Sequence, residues 1–273
     1  MSAPQVRVTG HFGEFLQGRI GPVGPVALIS VPCPAVVVAG WHRPGAGLSI
    51  HGSGQHLVTP DRARRFVARL GLGLLGRVRL SATMPAGGGA GASTATLVAL
   101  ARLAGADDPP EAIARACIDA EGASDPLMFP APERLLWASR EGRVLRRLPA
   151  LPRIDVIGGF LGPGRRTDAD DLDFPDIGDL VDAWVTAAHA GRAEALADIA
   201  TASARRTLAL RGPAGDPTDA LARDLGAAGF VIGHTGSARG LLFVPGRIPE
   251  AAAGALRAAG MRGIVRFRVG ARV

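Results

Sequence analysis

One segment constrains this chain more than any other: Pro85-Ala86-Gly87-Gly88-Gly89-Ala90-Gly91-Ala92-Ser93-Thr94-Ala95. It follows an alternating stretch, Arg77 to Ala82, that reads as a strand, and it precedes a helical stretch running through Leu97 and Leu100 to Ala104. Four glycines between a strand and a helix let successive backbone N–H groups turn toward one point, and the helix N-terminus adds unpaired donors and the positive end of its dipole. The product is an anion cradle. Ser93 or Thr94 can serve there as helix cap or as an oxygen ligand for a phosphate-bound Mg²⁺. A glycine turn capped by a hydroxyl would use the same residues, but the bounding proline and the two hydroxyls favour phosphate.

The cradle is not a Walker A loop, because the chain has no lysine: all 31 of its basic residues are arginine, and asparagine and tyrosine are absent as well. A Schiff-base lysine, an asparagine-dependent papain-type triad and a catalytic tyrosine are excluded with it. The joint loss of three residue types with AT-rich codons points to GC-biased coding, so the net charge of +7 reads as an ordinary arginine surface. Nucleic acid is not an expected partner, since aromatic residues make up 4% of the chain and offer no platform for bases.

The 273 residues, 47% hydrophobic and 20% charged, suit one large or two small globular domains. The uncharged run from Ile20 to Trp41 is long enough to span a bilayer, but Pro22, Pro25, Pro32 and Pro34 would break such a helix. It is expected instead as two strands, Val26 to Val31 and Ala35 to Ala39, separated by a proline-rich turn. With no charged start leading into an apolar run, and with Cys33 and Cys117 too far apart for a C-x-x-C pair, a reducing cytoplasmic setting is expected, with neither secretion signal nor membrane span. Both cysteines read as packing groups.

Helices are further expected over Asp61 to Leu70 and Pro110 to Ala120, and a strand pair around Glu141-Gly142. The linker Leu148-Pro149-Ala150-Leu151-Pro152 is the candidate boundary between domains 1–148 and 153–273. Beyond it, the expected elements are a strand over Arg153 to Phe160, helices over Leu180 to Ala190, Ala193 to Leu210 and Thr218 to Ala228, and strands over Gly229 to His234 and Arg239 to Val244. A helix over Pro249 to Ala259 and a last strand over Gly263 to Val269 follow. Setting extra helices aside, that order is the split βαβ pattern of a ferredoxin-like layer. The fold class is therefore α+β.

Other motifs carry unequal weight. Gly71-Leu72-Gly73-Leu74-Leu75-Gly76 fits the dinucleotide fingerprint literally, but it follows a helix and precedes a strand, so it reads as a helix C-cap and turn. Glu121 and Asp125 stand four residues apart at a helix end, where one carboxylate could hold a metal and the other accept a proton. Gly10-His11-Phe12-Gly13-Glu14-Phe15-Leu16-Gln17-Gly18 sets three polar side chains among apolar ones, and burial would demand partners for each. Gly233-His234-Thr235-Gly236-Ser237 is a small polar turn between strands, able to meet phosphate or substrate or to be a plain hairpin. The histidines show no metal spacing, and the aspartates from Asp168 to Asp182 lack the glycine and closing glutamate of a calcium loop.

Taken together, the glycine segment, the Glu121/Asp125 pair thirty residues on and the late glycine turn resemble the three motifs of the GHMP kinase superfamily. Gly13-Glu14-Phe15-Leu16-Gln17-Gly18 and the His234 turn resemble the versions found in the L-threonine kinases of cobalamin synthesis. That resemblance implies a two-domain fold, with an N-terminal half like domain 2 of ribosomal protein S5 and a ferredoxin-like C-terminal half. It further implies ATP and Mg²⁺ as cofactors and free L-threonine as the phosphoryl acceptor. Pro85, Gly87, Gly88, Gly89, Ala90, Gly91, Ala92, Ser93 and Thr94 would hold nucleotide, and Ser93 and Glu121 the metal. Asp125 would orient or deprotonate the hydroxyl, while Glu14, Gln17, His234, Thr235, Gly236 and Ser237 would face the substrate. Many superfamily members place a lysine early in the first motif; His11 occupies that neighbourhood here. The resemblance leaves open which of Ser93 and Thr94 meets the metal, and whether the chain forms a homodimer. Rival readings are a kinase for homoserine or an isoprenoid alcohol, and a non-catalytic binder on the same frame.

Overall fold

The structure, a computed structural model, describes residues 3–164, 168, 170–234 and 236–271. Its spine is an antiparallel pair, β1 (Val6–Arg19) and β2 (Val26–Arg43). Outside β2 lie β4 (Gly76–Ala82) and, parallel to β4, β3 (Leu48–Gly52). On the other flank β1 meets β8 (Gly229–Ile232), followed by β9 (Ala238–Phe243), β7 (Ile154–Phe160) and β10 (Arg262–Val269). A hairpin of β5 (Leu135–Ala138) and β6 (Arg143–Arg147) attaches to β2. Among the described residues the strands make one ten-stranded sheet. The spatial order β10-β7-β9-β8, every neighbour antiparallel, is the ferredoxin-like layer expected from the chain order.

Seven helices cover this sheet among the described residues: α1 (Pro60–Arg69), α2 (Ala92–Leu103), α3 (Pro110–Glu121), α4 (Gly178–His189), α5 (Ala193–Arg211), α6 (Thr218–Asp224) and α7 (Ala252–Ala258). Residues Thr94 to Ala101 of α2 are all buried, so the helix between its exposed ends Ser93 and Arg102 has no solvent face, in keeping with a stretch whose only polar side chains are Thr94 and Thr96. Its alanines let it lie close against β1 and β2. Phe12, Phe15 and Leu16 of β1 are fully buried, and Phe12 meets the rings of Phe160 and Phe267 edge-on at 5.1 and 5.9 Å. Each such side chain contributes about 1.5–3 kcal/mol by leaving water. The core is thereby continuous from β1 into β7 and β10.

Where the structure departs from the sequence reading, local chemistry supplies the reason. Pro32 and Pro34 do not form a turn; β2 runs through them as a single strand. The disturbance appears in the register instead, with irregularities between Thr9 and Gly10, between His11 and Glu14 and between Glu14 and Leu16. His11 stands opposite Pro32, which has no N–H to offer. The His11 N–H is turned away from that ladder and donates to the Ala90 carbonyl at 3.2 Å. Strand β1 thus leaves its neighbour where it touches the glycine segment. The helix expected from Thr218 to Ala228 stops at Asp224, where Gly226 takes a positive φ of 65°, and the one expected from Pro249 begins at Ala252. Strand β3, five residues long and directly following Gly45-Ala46-Gly47, is too short to stand out in the sequence.

Candidate active site

A cleft of about 250 Å³ gathers residues from the four segments singled out in the sequence. Its floor is the glycine segment. Gly87, Gly89 and Gly91 adopt φ of 73°, 72° and 71°, which a side chain would strain, and Gly91 stands as N-cap directly before α2. No side chain caps the helix, so its first N–H groups stay available to an anion. The cradle is braced from behind by the late turn: Ala238 N–H donates to the Gly88 carbonyl at 2.9 Å, and a Cβ on Gly236 would collide with the Gly89 nitrogen.

Above the cradle stands a cluster of side chains. Asp125, with 22% of its side chain exposed, holds Thr94 in both directions: the Thr94 hydroxyl donates to Oδ2 at 3.3 Å and accepts from the Asp125 N–H at 3.2 Å. His11 bridges two carboxylates, with Nε2 3.3 Å from Asp125 Oδ2 and Nδ1 3.1 Å from Glu14 Oε1. Burial alone would lower the His11 pKa, but Glu14 and Asp125 push it up to about 9. Burial also drives Glu14 up to about 8 despite His11 beside it. Asp125 is partly buried, which would raise its pKa, yet His11 outweighs that and holds it below the ordinary carboxylate range. At neutral pH His11 is therefore an imidazolium beside an ionised Asp125, with Glu14 holding its proton well above the ordinary carboxylate range. Gly91 is required here too, since a Cβ would lie 2.7 Å from His11 Cδ2.

On one side of Asp125, the Ser93 hydroxyl donates to Glu121, and Arg62 pairs with the same carboxylate at 2.8 Å. These are hard oxygen donors at the cleft wall, suited to Mg²⁺. On the other side are Ser124, Ser139, Arg140 and His234. His234 is buried and neutral, its pKa pressed down to about 3 by burial and the Arg140 cation. Phe174 stacks on it at 4.5 Å, and Arg211 caps Phe174 in turn.

The expected residues divide by placement. His11, Gly87, Gly88, Gly89, Gly91, Ala92, Ser93, Thr94, Glu121, Asp125 and His234 line the cleft. Pro85, Ala90, Gly236 and Ser237 do not; they shape it from behind. Glu14 lies beneath His11, and Gln17 is spent on the frame, its Nε2 donating to the Ile232 carbonyl at 3.2 Å and its N–H to Ser203 at 3.0 Å. Thr235 lies outside the described residues. His11, Glu14 and Asp125 could also hold a metal among themselves, a grouping the sequence spacing did not suggest.

No family model matches this sequence, and no curated protein does. Solved structures do. The chain superposes over its whole length on all of a mevalonate kinase from L. major, with a TM-score of 0.62 at 14% identity. A homoserine kinase from Cytophaga hutchinsonii matches with a TM-score of 0.59 at 16% identity, covering 100% of this chain and 98% of that one. A structure described as MDDEF in complex with MVAPP, AMPPCP and magnesium reaches 0.63 at 13% identity over 98% of each chain. The fold is that of the GHMP kinases.

Within this fold, Arg62, Ser139, Arg140 and Phe174 are among the site residues that sequence reasoning missed, as are Leu28, His56 and Leu57 of the lining. Arg62 lies on α1, and nothing local marks it among the other arginines of that helix. Arg140 follows a buried serine at the end of β5, a weak signal visible only once the hairpin is placed.

Proposed function

We propose that this chain is an ATP- and Mg²⁺-dependent small-molecule kinase whose acceptor is the hydroxyl of free L-threonine. The product would be O-phospho-L-threonine, precursor of the aminopropanol linker of cobalamin. The observation that carries the kinase reading is the placing of Asp125, ionised and clamped by Thr94 and His11, beside a backbone anion cradle and a Ser93–Glu121 oxygen pair. The threonine assignment rests on the resemblance of the segments around Glu14 and His234.

The donor set suits both cofactors. Three positive-φ glycines and an uncapped helix end accept nucleotide phosphates, and Ser93 with Glu121 suits Mg²⁺, which when bound would neutralise phosphate charge. Thr94 is committed to Asp125, so Ser93 is the hydroxyl we assign to the metal. Asp125 orients the acceptor hydroxyl and takes its proton, while the His11 imidazolium places a fixed positive charge where lysine stands in many relatives. Positioning and charge supply most of the rate where the transition state is loose. We read residues 1–148 as the nucleotide-binding half and 153–273 as the ferredoxin-like half.

Homoserine and isoprenoid alcohols are the rival acceptors, and the structural matches include both a homoserine kinase and a mevalonate kinase. The test is mass spectrometry of reactions holding ATP, Mg²⁺ and L-threonine, L-serine, L-homoserine or mevalonate. Phosphothreonine should dominate. Phosphohomoserine in its place would overturn the threonine assignment, and no ADP with any alcohol would overturn the kinase.

A further inference from the structure

The side of the cleft beyond Asp125 carries more polarity than the reaction uses. Nε of Arg140, Oγ of Ser124, Oγ of Ser139 and both ring nitrogens of His234 are buried and without a hydrogen-bond partner among the described residues. Native interiors rarely leave one such group unsatisfied, and here four side chains that line one wall do so together. Arg140 makes no ion pair among the described residues; its one hydrogen bond runs from Nη2 to the Asp168 carbonyl at 3.0 Å. The frame holds the set firmly. Ser124 N–H donates to the Ser139 carbonyl at 2.9 Å, joining the α3 end to the β5 end, and Phe174 fixes the His234 ring. The charges that bear on Arg140 are those of Asp171, Asp125, Arg211 and Asp168, so its guanidinium lies within electrostatic reach of Asp125 in the same cleft.

From this wall we infer that Arg140, with Ser124, Ser139 and His234, forms a subsite for the carboxylate of the acceptor, so that the substrate class is hydroxy acids rather than alcohols in general. A guanidinium offers parallel N–H donors that match a carboxylate's two oxygens, and the serine hydroxyls and neutral His234 can donate to the same group or to a neighbouring substituent. A planar anion gripped at one end leaves the hydroxyl, a few bonds away, to be presented to Asp125. A lone alcohol would bury the arginine without satisfying it, which opposes binding. The inference deepens the kinase reading and rests on it for the direction in which the substrate lies.

Equilibrium binding tests it without relying on turnover. Isothermal titration would compare L-threonine and L-threoninol, which lacks the carboxylate, on the wild type and on Arg140→Ala, Arg140→Gln and Arg140→Lys, with AMPPCP binding measured in parallel. L-threonine should bind the wild type at least tenfold tighter than L-threoninol, lose about ten- to a hundredfold on Arg140→Ala and Arg140→Gln, and recover part of that on Arg140→Lys. AMPPCP affinity should stay within about twofold throughout, which also reports that each variant is folded. Equal binding of acid and alcohol, or an unchanged L-threonine affinity on Arg140→Ala, would overturn the subsite. A parallel loss of AMPPCP would reassign Arg140 to phosphate and overturn it as well. Carboxylate binding without ADP formation from any hydroxy acid would leave the subsite standing and remove the kinase.

Discussion

The two walls of the cleft are built on different principles. The cradle, Gly87 to Ala92, is almost all backbone: its donors carry no titrating proton, and its shape comes from positive φ angles braced by the turn packed behind it. The opposite wall is all side chains, with His11 from β1, Asp125 from beyond α3, Arg140 from beyond β5 and His234 from beyond β8 meeting across more than 220 positions of sequence. A backbone cradle binds whatever carries phosphate; the side-chain wall decides what reacts and at which pH. Binding and chemistry should therefore be separable by mutation.

The largest separation is expected from Asp125→Asn, which should lower turnover about a hundred- to ten-thousandfold while nucleotide affinity stays within a few-fold. Steady-state kinetics with nucleotide titration checks both halves, and an equal loss of nucleotide binding would erase the division. Gly89→Val is its mirror. A side chain there would meet the Gly236 Cα at 3.0 Å on a backbone at φ 72°, so nucleotide binding should weaken at least about tenfold. An unaltered nucleotide dissociation constant would remove the cradle from the phosphate site.

Proton linkage sharpens the contrast further. His11 titrates near 9 in the folded chain against an ordinary 6.5, so its stabilisation is whole below 6.5 and is lost as pH rises through 9. Glu14, near 8 against 4.5, also holds its proton longer in the folded chain, and charging it acts in the same direction. The melting temperature should therefore fall between pH 6.5 and 9. Glu14→Gln should flatten that slope and Gly89→Val should keep it; a wild-type melting temperature that rises over this range would contradict the assigned protonation. The smallest effect is expected at Arg62, 30% exposed, whose pairing with Glu121 competes with a metal. Arg62→Ala should reduce the Mg²⁺ needed for half-maximal turnover by less than about fivefold. A rise instead would show that Arg62 itself holds phosphate.

The same division governs what could be read from the sequence. The cradle was readable because its chemistry is local: Pro85, four glycines and two hydroxyls lie side by side, and strand and helix periodicities flank them. So was the ferredoxin-like layer, whose β, α, β, β, α, β order emerges along the chain once the extra helices are set aside. Asp125 and Glu121 stood out by position. The pairing of Asp125 with Thr94 and His11, by contrast, joins three segments distant in sequence, a tertiary effect with no local mark. Gln17 looked like a ligand for the same reason that it is a tie: a polar group in an apolar strand must find a partner, and the sequence does not say whether that partner is substrate or the Ile232 carbonyl. Arg140 and Arg62 were hidden by their own abundance in a chain whose every basic residue is arginine.

The bracing of the cradle by Gly236 bears on how such loops can be moved between proteins. Because the space behind Gly89 is filled by a turn nearly 150 residues away, the segment Pro85 to Ala95 is not a portable cassette. Grafted onto another strand–helix junction it would bring its glycines but not the wall that sets their angles. Any successful transplant must carry the distant hairpin with it, as two pieces of one mould.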